Sequence, residues 1–315
     1  MNKKTKRIES IFEFLKDAQF ETCPLFPKKM LFEISNICNH KCVFCAYKKM
    51  TRPKGVVDPN LFKDIVQQAY ELGIKEIGLH SGAEPFACKN LEYFVEICSK
   101  IGFEYIYLST NGTLATQNRI KRVLDAGLHS IKFSINAGDR ETYKKIHGKD
   151  QFDIACQNVF FTDEYRKKLN RQIYLAVSFI EVDENTNSFA KLLNLFEPVV
   201  NEVFRTKAVN QSGQVPEFSS FFKERNLSCV WPFKTINVSR EGFLRACCND
   251  YQNFLALEDL RLISLKEAWH SKRFIDFRNN FLYNNTKNTL CYNCLYGVNT
   301  PIEPLNRDLC PYEQI

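Results

Sequence analysis

Between residues 29 and 209, strand-like and helix-like segments alternate six times. The strand-like runs are KMLFEISNI (29–37), KEIGLH (75–80), EYIYLST (104–110), HSIKFSIN (129–136), RQIYLAVSFI (171–180) and VVNEVFRTKAV (199–209). Between them, apolar residues recur at helical spacing, as Leu61, Phe62, Ile65, Val66 and Ala69 do over 59–72. Gly73, Gly102 and Gly127 close the first three helices, and further helices are expected at 139–169 and 186–197. Such alternation requires a parallel sheet with its crossover helices packed outside. Six units fall short of a closed eight-stranded barrel. The expected fold class is therefore α/β: a partial (β/α)6 barrel of parallel strands with a small C-terminal metal-cluster domain.

The rhythm stops near Asn210. The stretch QSGQVPEFSS is polar, contains Gly and Pro, and reads as part of a linker over 211–228. A cysteine-bearing domain follows over 229–296, then a tail over 297–315 with three prolines. Residues 1–28 read as a leading segment with a helix at 7–19. The basic start MNKKTKRIES runs into a charged amphipathic stretch, not an apolar signal core. No apolar run approaches the roughly 18 residues of a membrane span. A cytoplasmic, membrane-free protein is expected. There the 13 cysteines would be metal ligands and buried thiols, not disulfides. The net charge of +7 comes without a basic helix or an aromatic-basic repeat, so nucleic acid is not an expected partner. It fits a solvated basic surface or a bias toward anionic small molecules.

Cys38, Cys42 and Cys45 stand at C-x3-C-x2-C directly after the first strand. Loops at the carboxyl ends of parallel strands are where such folds build their sites. Thiolates select zinc, copper(I) or iron–sulfur clusters. Closed zinc wants a fourth ligand. His40 lies within the motif, but its side chain would have to fold back into the same tight loop. An iron–sulfur cube on three cysteines keeps one iron open, and an open position is a place for chemistry.

This spacing, with Phe44 before the last cysteine, resembles the signature of the radical S-adenosylmethionine enzymes. The resemblance implies a [4Fe–4S] cluster on the three cysteines, with S-adenosyl-L-methionine chelating the fourth iron. It also implies reductive cleavage to a 5′-deoxyadenosyl radical that takes hydrogen from the substrate. Ser81-Gly82-Ala83-Glu84-Pro85 after the second strand resembles the family's Gly-Gly-Glu-Pro motif for the methionyl amino group, with Ala83 where Gly is usual. Ser109-Thr110-Asn111-Gly112 ends the third strand as the family's Ser/Thr-Asn-Gly stretch does. Ser134-Ile135-Asn136 ends the fourth, with Asn136 in place of the usual Asp. The implied cofactor-binding set is Phe44, Gly82, Ala83, Glu84, Pro85, Ser109, Asn111, Ser134 and Asn136. Read without the resemblance, the Asn and Gly residues are ordinary turn formers. Residues 177–180 either face an adenine or fill the core.

Cys229, Cys247, Cys291 and Cys294 form a second set, C-x17-C-x43-C-x2-C. With Glu241-Gly242 ahead of Cys247 and Trp269 ahead of the last pair, the segment resembles the SPASM and shortened twitch extensions of the same family. Only Cys310 follows, so one auxiliary cluster with four protein ligands is implied, making two [4Fe–4S] clusters in all. Cys248 rivals Cys247, and ligand type alone leaves structural zinc open. Cys23, Cys88, Cys98 and Cys156 read as buried apolar thiols.

A cube with four thiolates has no open iron and is suited to accepting an electron. The expected reaction is oxidation of an alcohol to a ketone on an anionic or carbohydrate-like small molecule. A reductant such as flavodoxin or ferredoxin would supply the first cluster. Epimerisation, peptide modification and a non-enzymatic iron–sulfur or zinc scaffold are the alternatives. The 28 or so residues before the first strand read as too few for a peptide-binding module. Arg205 and Lys207, two apart on the sixth strand, would share one face. Either could bind substrate or take the proton, or form a salt bridge at the rim.

Overall fold

The computed structural model describes residues 20–220 and 229–311, so the leading helix expected at 7–19 lies outside the described residues. Six strands run parallel: β1 (Lys29–Phe32), β2 (Glu76–Gly78), β3 (Tyr105–Thr110), β4 (Ser130–Ser134), β5 (Tyr174–Glu181) and β6 (Glu202–Lys207). The helices between them are α1 (Pro59–Glu71), α2 (Leu91–Ile101), α3 (Gln117–Asp125), α4 (Arg140–His147), α5 (Phe152–Arg166) and α6 (Phe189–Phe196). Asp58 caps α1 by accepting from the Asn60 and Leu61 amides at 2.9 and 3.0 Å, and Pro59 takes the first turn. The single helix expected over 139–169 is two. Gly148, at φ +68°, ends α4 in the left-handed conformation and turns the chain into α5.

The two faces of the sheet differ. Met30, Phe32, Ile77, Leu79, Ile106, Leu108, Phe133, Val177 and Phe179 are fully buried under the helices. Phe32 packs on Phe62 of α1 with ring centroids 4.9 Å apart. The alternate residues Tyr105, Tyr107, Ser109, Lys132, Ser134 and Ile180 are only half-buried and form the inner, concave face. A Cβ at Gly78 would lie 2.5 Å from Leu31 Cδ2 and 2.8 Å from the Tyr107 ring, so glycine lets these two side chains close over β2.

The C-terminal segment continues the same sheet instead of standing beside it. It contains α7 (Trp231–Lys234), β7 (Thr235–Val238), β8 (Phe243–Arg245), β9 (Ala256–Asp259), α8 (Leu265–Trp269), α9 (Lys272–Leu282) and α10 (Leu290–Tyr296). β7 pairs in parallel with β1, and β8 and β9 follow antiparallel, giving nine strands in the order β6-β5-β4-β3-β2-β1-β7-β8-β9. Among the described residues no helix is long and apolar enough to cross a membrane.

A buried cation locks this seam. The Arg52 guanidinium is fully buried and donates to both oxygens of Glu33 at 2.8 and 2.9 Å and of Glu241 at 3.0 and 2.8 Å. Its Nε donates to the Tyr251 carbonyl at 2.7 Å. Burial opposes the charge, and the two carboxylates more than offset it, so its pKa is raised. Removing one partner of such a set strands buried charge. Arg52→Met is expected to destabilise the protein by about 3–5 kcal/mol. Denaturant unfolding followed by far-ultraviolet circular dichroism checks this, and a loss below about 1 kcal/mol would be at odds with the seam.

Candidate active site and metal centres

The chain leaves β1 and forms the cysteine loop above the strand ends. Backbone bonds tie the loop to the end of α4: Val43 N donates to Ile146 O at 2.9 Å and Lys41 N to His147 O at 3.5 Å. Cys38 N donates to the Tyr47 hydroxyl at 2.8 Å, and Ala46 N to Gln211 Oε1 at 2.8 Å. Cys38, Cys42 and Cys45 are all half-buried. Burial pushes all three thiols up, Cys38 to about 12, and the Cys45 sulfur adds to the rise at Cys38 and Cys42. Buried thiols that oppose one another's ionisation need bound cations to become thiolates. The donor set fits a three-thiolate iron cluster.

His40 turns away from Cys38 and Cys45. Its Nδ1 lies 3.3 Å from His147 Nδ1, and its Nε2 lies 3.1 Å from Gln151 Oε1. His147 Nε2 bonds the Ile135 carbonyl at 2.8 Å, which assigns the proton to that nitrogen and leaves Nδ1 facing the Cys42 sulfur at 3.1 Å. Burial pulls the His147 pKa down to about 3. In this tautomer His147 Nδ1 accepts from the Cys42 thiol, and nothing in the sequence pattern announced a histidine there.

Of the residues expected to bind cofactor, several brace the loops against one another. Glu84 is buried and accepts from Thr110 Oγ1 at 2.6 Å, Asn111 N at 2.7 Å and Phe86 N at 3.0 Å. Asn111 reaches on to Asn39 Oδ1 at 2.8 Å, within the cysteine loop. Burial pushes the Glu84 carboxyl up to about 7, against these hydrogen bonds and Arg119. Asn136, at φ +56°, accepts from Ile180 N at 2.8 Å and is 1% exposed, so its amide is spent on the scaffold. Ser134 remains on the inner face, with Ser178 Oγ 3.3 Å away, and Ser109 lies on the same face. Phe44 packs with Ile146, Val182 and Ala208. Pro85 is buried at the start of a short 3-10 turn. Gly82 lies against the ring of Tyr251 of the C-terminal segment, and Ala83 packs on the cluster formed by Ala46, Tyr47, Val215 and Tyr251.

Arg205 and Lys207 lie on the wrong face for the role expected of them. Arg205 pairs in register with Phe179, bonds Glu181 at 2.8 and 3.0 Å, and stacks 4.6 Å over Phe189 of α6. That is the helix-covered face, and Lys207 shares it by alternation. The inner face of β6 carries Glu202, Phe204 and Thr206 instead, and the Tyr174 hydroxyl donates to Glu202. Lys132 of β4, flanked by the buried Ile131 and Phe133, is the inner-face lysine that the SIKFS alternation could have revealed.

Cys229, Cys247, Cys291 and Cys294 line one cavity with Trp231, Pro232 and Phe281. Burial and mutual charge push Cys229, Cys291 and Cys294 up, Cys294 to about 12. Cys247 is pulled down by hydrogen bonds from Cys248, Asn249 N and Ser212. Cys248 does not line the cavity. Among the described residues, the group of three ligand atoms lying within 4.8 Å of one another is His40, Cys42 and His147. Thiolates on tetrahedral zinc would sit roughly 3.8 Å apart at a Zn–S distance of about 2.3 Å. No three of the four described sulfurs lie that close together, as a closed zinc site would need.

Residues 32–172 match the radical SAM superfamily model, and residues 229–295 match that of an iron–sulfur cluster-binding domain, SPASM. The chain is 23% identical over 273 residues to an S-adenosyl-L-methionine-dependent 2-deoxy-scyllo-inosamine dehydrogenase of Niallia circulans, covering 83% of this chain and 90% of that one. It is 32% identical over 120 residues to a probable GTP 3′,8-cyclase of Methanothermobacter marburgensis, spanning only 39% of that protein. In fold it is similar to BtrN in complex with AdoMet and 2-DOIA (TM-score 0.60, 19% identity, 85% of this chain and 91% of that one). It is similar also to Streptococcus suis SuiB bound to the precursor peptide SuiA (TM-score 0.67, 14% identity, 87% and 71%).

The brace at Glu84 has a pH signature. Its folded pKa of about 7 lies above the ordinary 4.5, so the folded state holds this proton more tightly than the unfolded one. Stability from this group is full below about 4.5 and is lost as pH rises toward 7. Metal-free protein is expected to lose stability between pH 5 and 8, relative to Glu84→Gln, by on the order of 3 kcal/mol. Parallel urea titrations of the two proteins check it. Arg205→Gln is expected to leave substrate turnover within about twofold, which steady-state assay of the loaded enzyme checks.

Proposed function

The chain belongs to the radical SAM superfamily and carries a SPASM-type iron–sulfur domain, and from that premise we propose that it dehydrogenates an alcohol on a small, polyhydroxylated substrate. The observation that carries this reading is the second cysteine set. Four cysteines around one cavity leave a bound cube no position for substrate, and electron acceptance is what such a cube offers. The end-to-end similarity to a cyclitol dehydrogenase supports the same reaction class.

In this reading Cys38, Cys42 and Cys45 hold the first cluster, and Cys229, Cys247, Cys291 and Cys294 the second. Bound there, S-adenosylmethionine and its cluster supply the power to take a hydrogen atom from an unactivated C–H bond. The chain's own residues do the rest. Glu84 and Asn111 fix the strand-end loops relative to the cysteine loop. Backbone carbonyls at Gly82 and Ala83 can accept from the methionyl ammonium. Ser109 and Ser134 offer hydroxyls on the inner face near the carboxyl ends of β3 and β4, and Lys132 stands beside Ser109 in register. Such a lining suits a hydroxylated substrate and provides groups able to take the alcohol proton. A helix-covered Arg205 does not.

The test is oxidation of 2-deoxy-scyllo-inosamine and related aminocyclitols by anaerobically reconstituted protein. Ketone formation coupled to S-adenosylmethionine cleavage is expected. The Cys291→Ala/Cys294→Ala variant should lower ketone formation at least about tenfold while S-adenosylmethionine is still cleaved. Equal ketone yield in that variant, or turnover on peptides alone, overturns the proposal.

A further inference from the structure

Tyr251 lies between the two cysteine sets, and the motif reading gave it no role. It is 7% exposed, and its hydroxyl is 3.6 Å from the Cys45 sulfur. Its ring covers Gly82, where a Cβ would lie 2.5 Å from Cε1 and 2.7 Å from Cδ1. Only glycine at position 82 leaves room for the ring. Four residues earlier the same segment carries Cys247, which lines the other cavity.

The segment between them is pinned on every side. Asn249 N donates to the Cys247 sulfur at 3.4 Å, and Gln214 Nε2 to Asn249 O at 2.6 Å. Ser81 Oγ donates to Cys248 O at 2.8 Å, and Arg245 Nη1 to Asp250 O at 2.6 Å. Arg52 holds the Tyr251 carbonyl, and Gln252 and Thr51 exchange two bonds at 2.9 and 2.8 Å. The Asp250 carboxylate accepts from the Gln252, Phe254 and Leu255 amides at 3.2, 3.0 and 2.7 Å. A short, over-determined strap therefore runs from one sulfur set to the other and ends on a phenol aimed at Cys45.

We propose that Tyr251 is a positioning residue through which the C-terminal segment donates a hydrogen bond to the Cys45 sulfur and raises the reduction potential of the first cluster. The inference rests on the reading that Cys38, Cys42 and Cys45 hold that cluster. A thiolate can only accept, so against a ligated Cys45 the phenol is the donor. Hydrogen bonds to cluster sulfurs stabilise the reduced, more negative state and shift the potential upward. The geometry also links the two sites: whatever displaces Cys247 pulls on the strap that aims Tyr251.

The experiment is redox titration of the first cluster by electron paramagnetic resonance, in reconstituted wild type and Tyr251→Phe. Both are loaded with iron and measured without S-adenosylmethionine. Tyr251→Phe keeps the ring over Gly82 and removes only the hydroxyl. The expected result is an unchanged iron content, a midpoint shifted to more negative potential, and one exchangeable-deuteron coupling fewer in pulsed spectra recorded in D2O. Gly82→Ala, which forces the ring away, should shift the midpoint in the same direction. An unchanged midpoint and deuteron pattern in Tyr251→Phe overturns the role of Tyr251 while leaving the cluster assignment intact. A wild type without a cluster on Cys38, Cys42 and Cys45 overturns the assignment itself.

Discussion

Arg52, buried between Glu33 and Glu241, is the contact on which the rest of the molecule depends. Glu33 directly follows β1, and Glu241 lies in the turn between β7 and β8. One guanidinium therefore joins the end of the first barrel strand to the C-terminal hairpin, at the point where the cysteine loop departs. Its fifth bond, to the Tyr251 carbonyl, extends the hold to the strap between the sulfur sets. Because β7 completes the pairing of β1, the C-terminal segment fixes the edge of the sheet as well as housing its own cysteines.

The site follows from the two unlike faces of the sheet. The outer face is sealed by Phe32, Phe133, Val177 and Phe179 against the helices, so chemistry is confined to the concave side and the strand-end loops. Glu84 and Asn111 then knit three of those loops into one surface. The carboxylate that a motif reading assigns to a cofactor is also the brace that keeps the cofactor's loops in register. Burial of the three thiols makes that surface costly to ionise without a metal, so ligation and correct loop geometry reinforce each other.

Much of this was legible in the sequence. Strand-like runs between helical segments located all six parallel strands, and the cysteine spacing picked out four thiols that the fold gathers around one cavity. What was not legible depended on contacts distant in sequence. The helix break at Gly148 places His147 behind Cys42, although the two are 105 residues apart. Tyr251 meets Cys45 across 206 residues. Arg205 and Lys207 were correctly placed on one face of β6, but charge alone does not tell the inner face from the outer. The ring of Phe189 decided that. The motif position of Asn136 suggests a ligand-facing residue, whereas its buried Oδ1 accepts from the Ile180 amide, a contact 44 residues away in sequence.

The central claim is that this fold holds two iron–sulfur cubes on two separate cysteine sets. Iron and zinc content of anaerobically reconstituted protein tests it most directly, measured beside the Cys38→Ala/Cys42→Ala/Cys45→Ala variant. Two cubes correspond to about eight irons per chain, falling to about four in the variant with the C-terminal signal retained. A variant that holds zinc and no iron would contradict the account, since the C-terminal cysteines would then be a structural staple without an electron to accept.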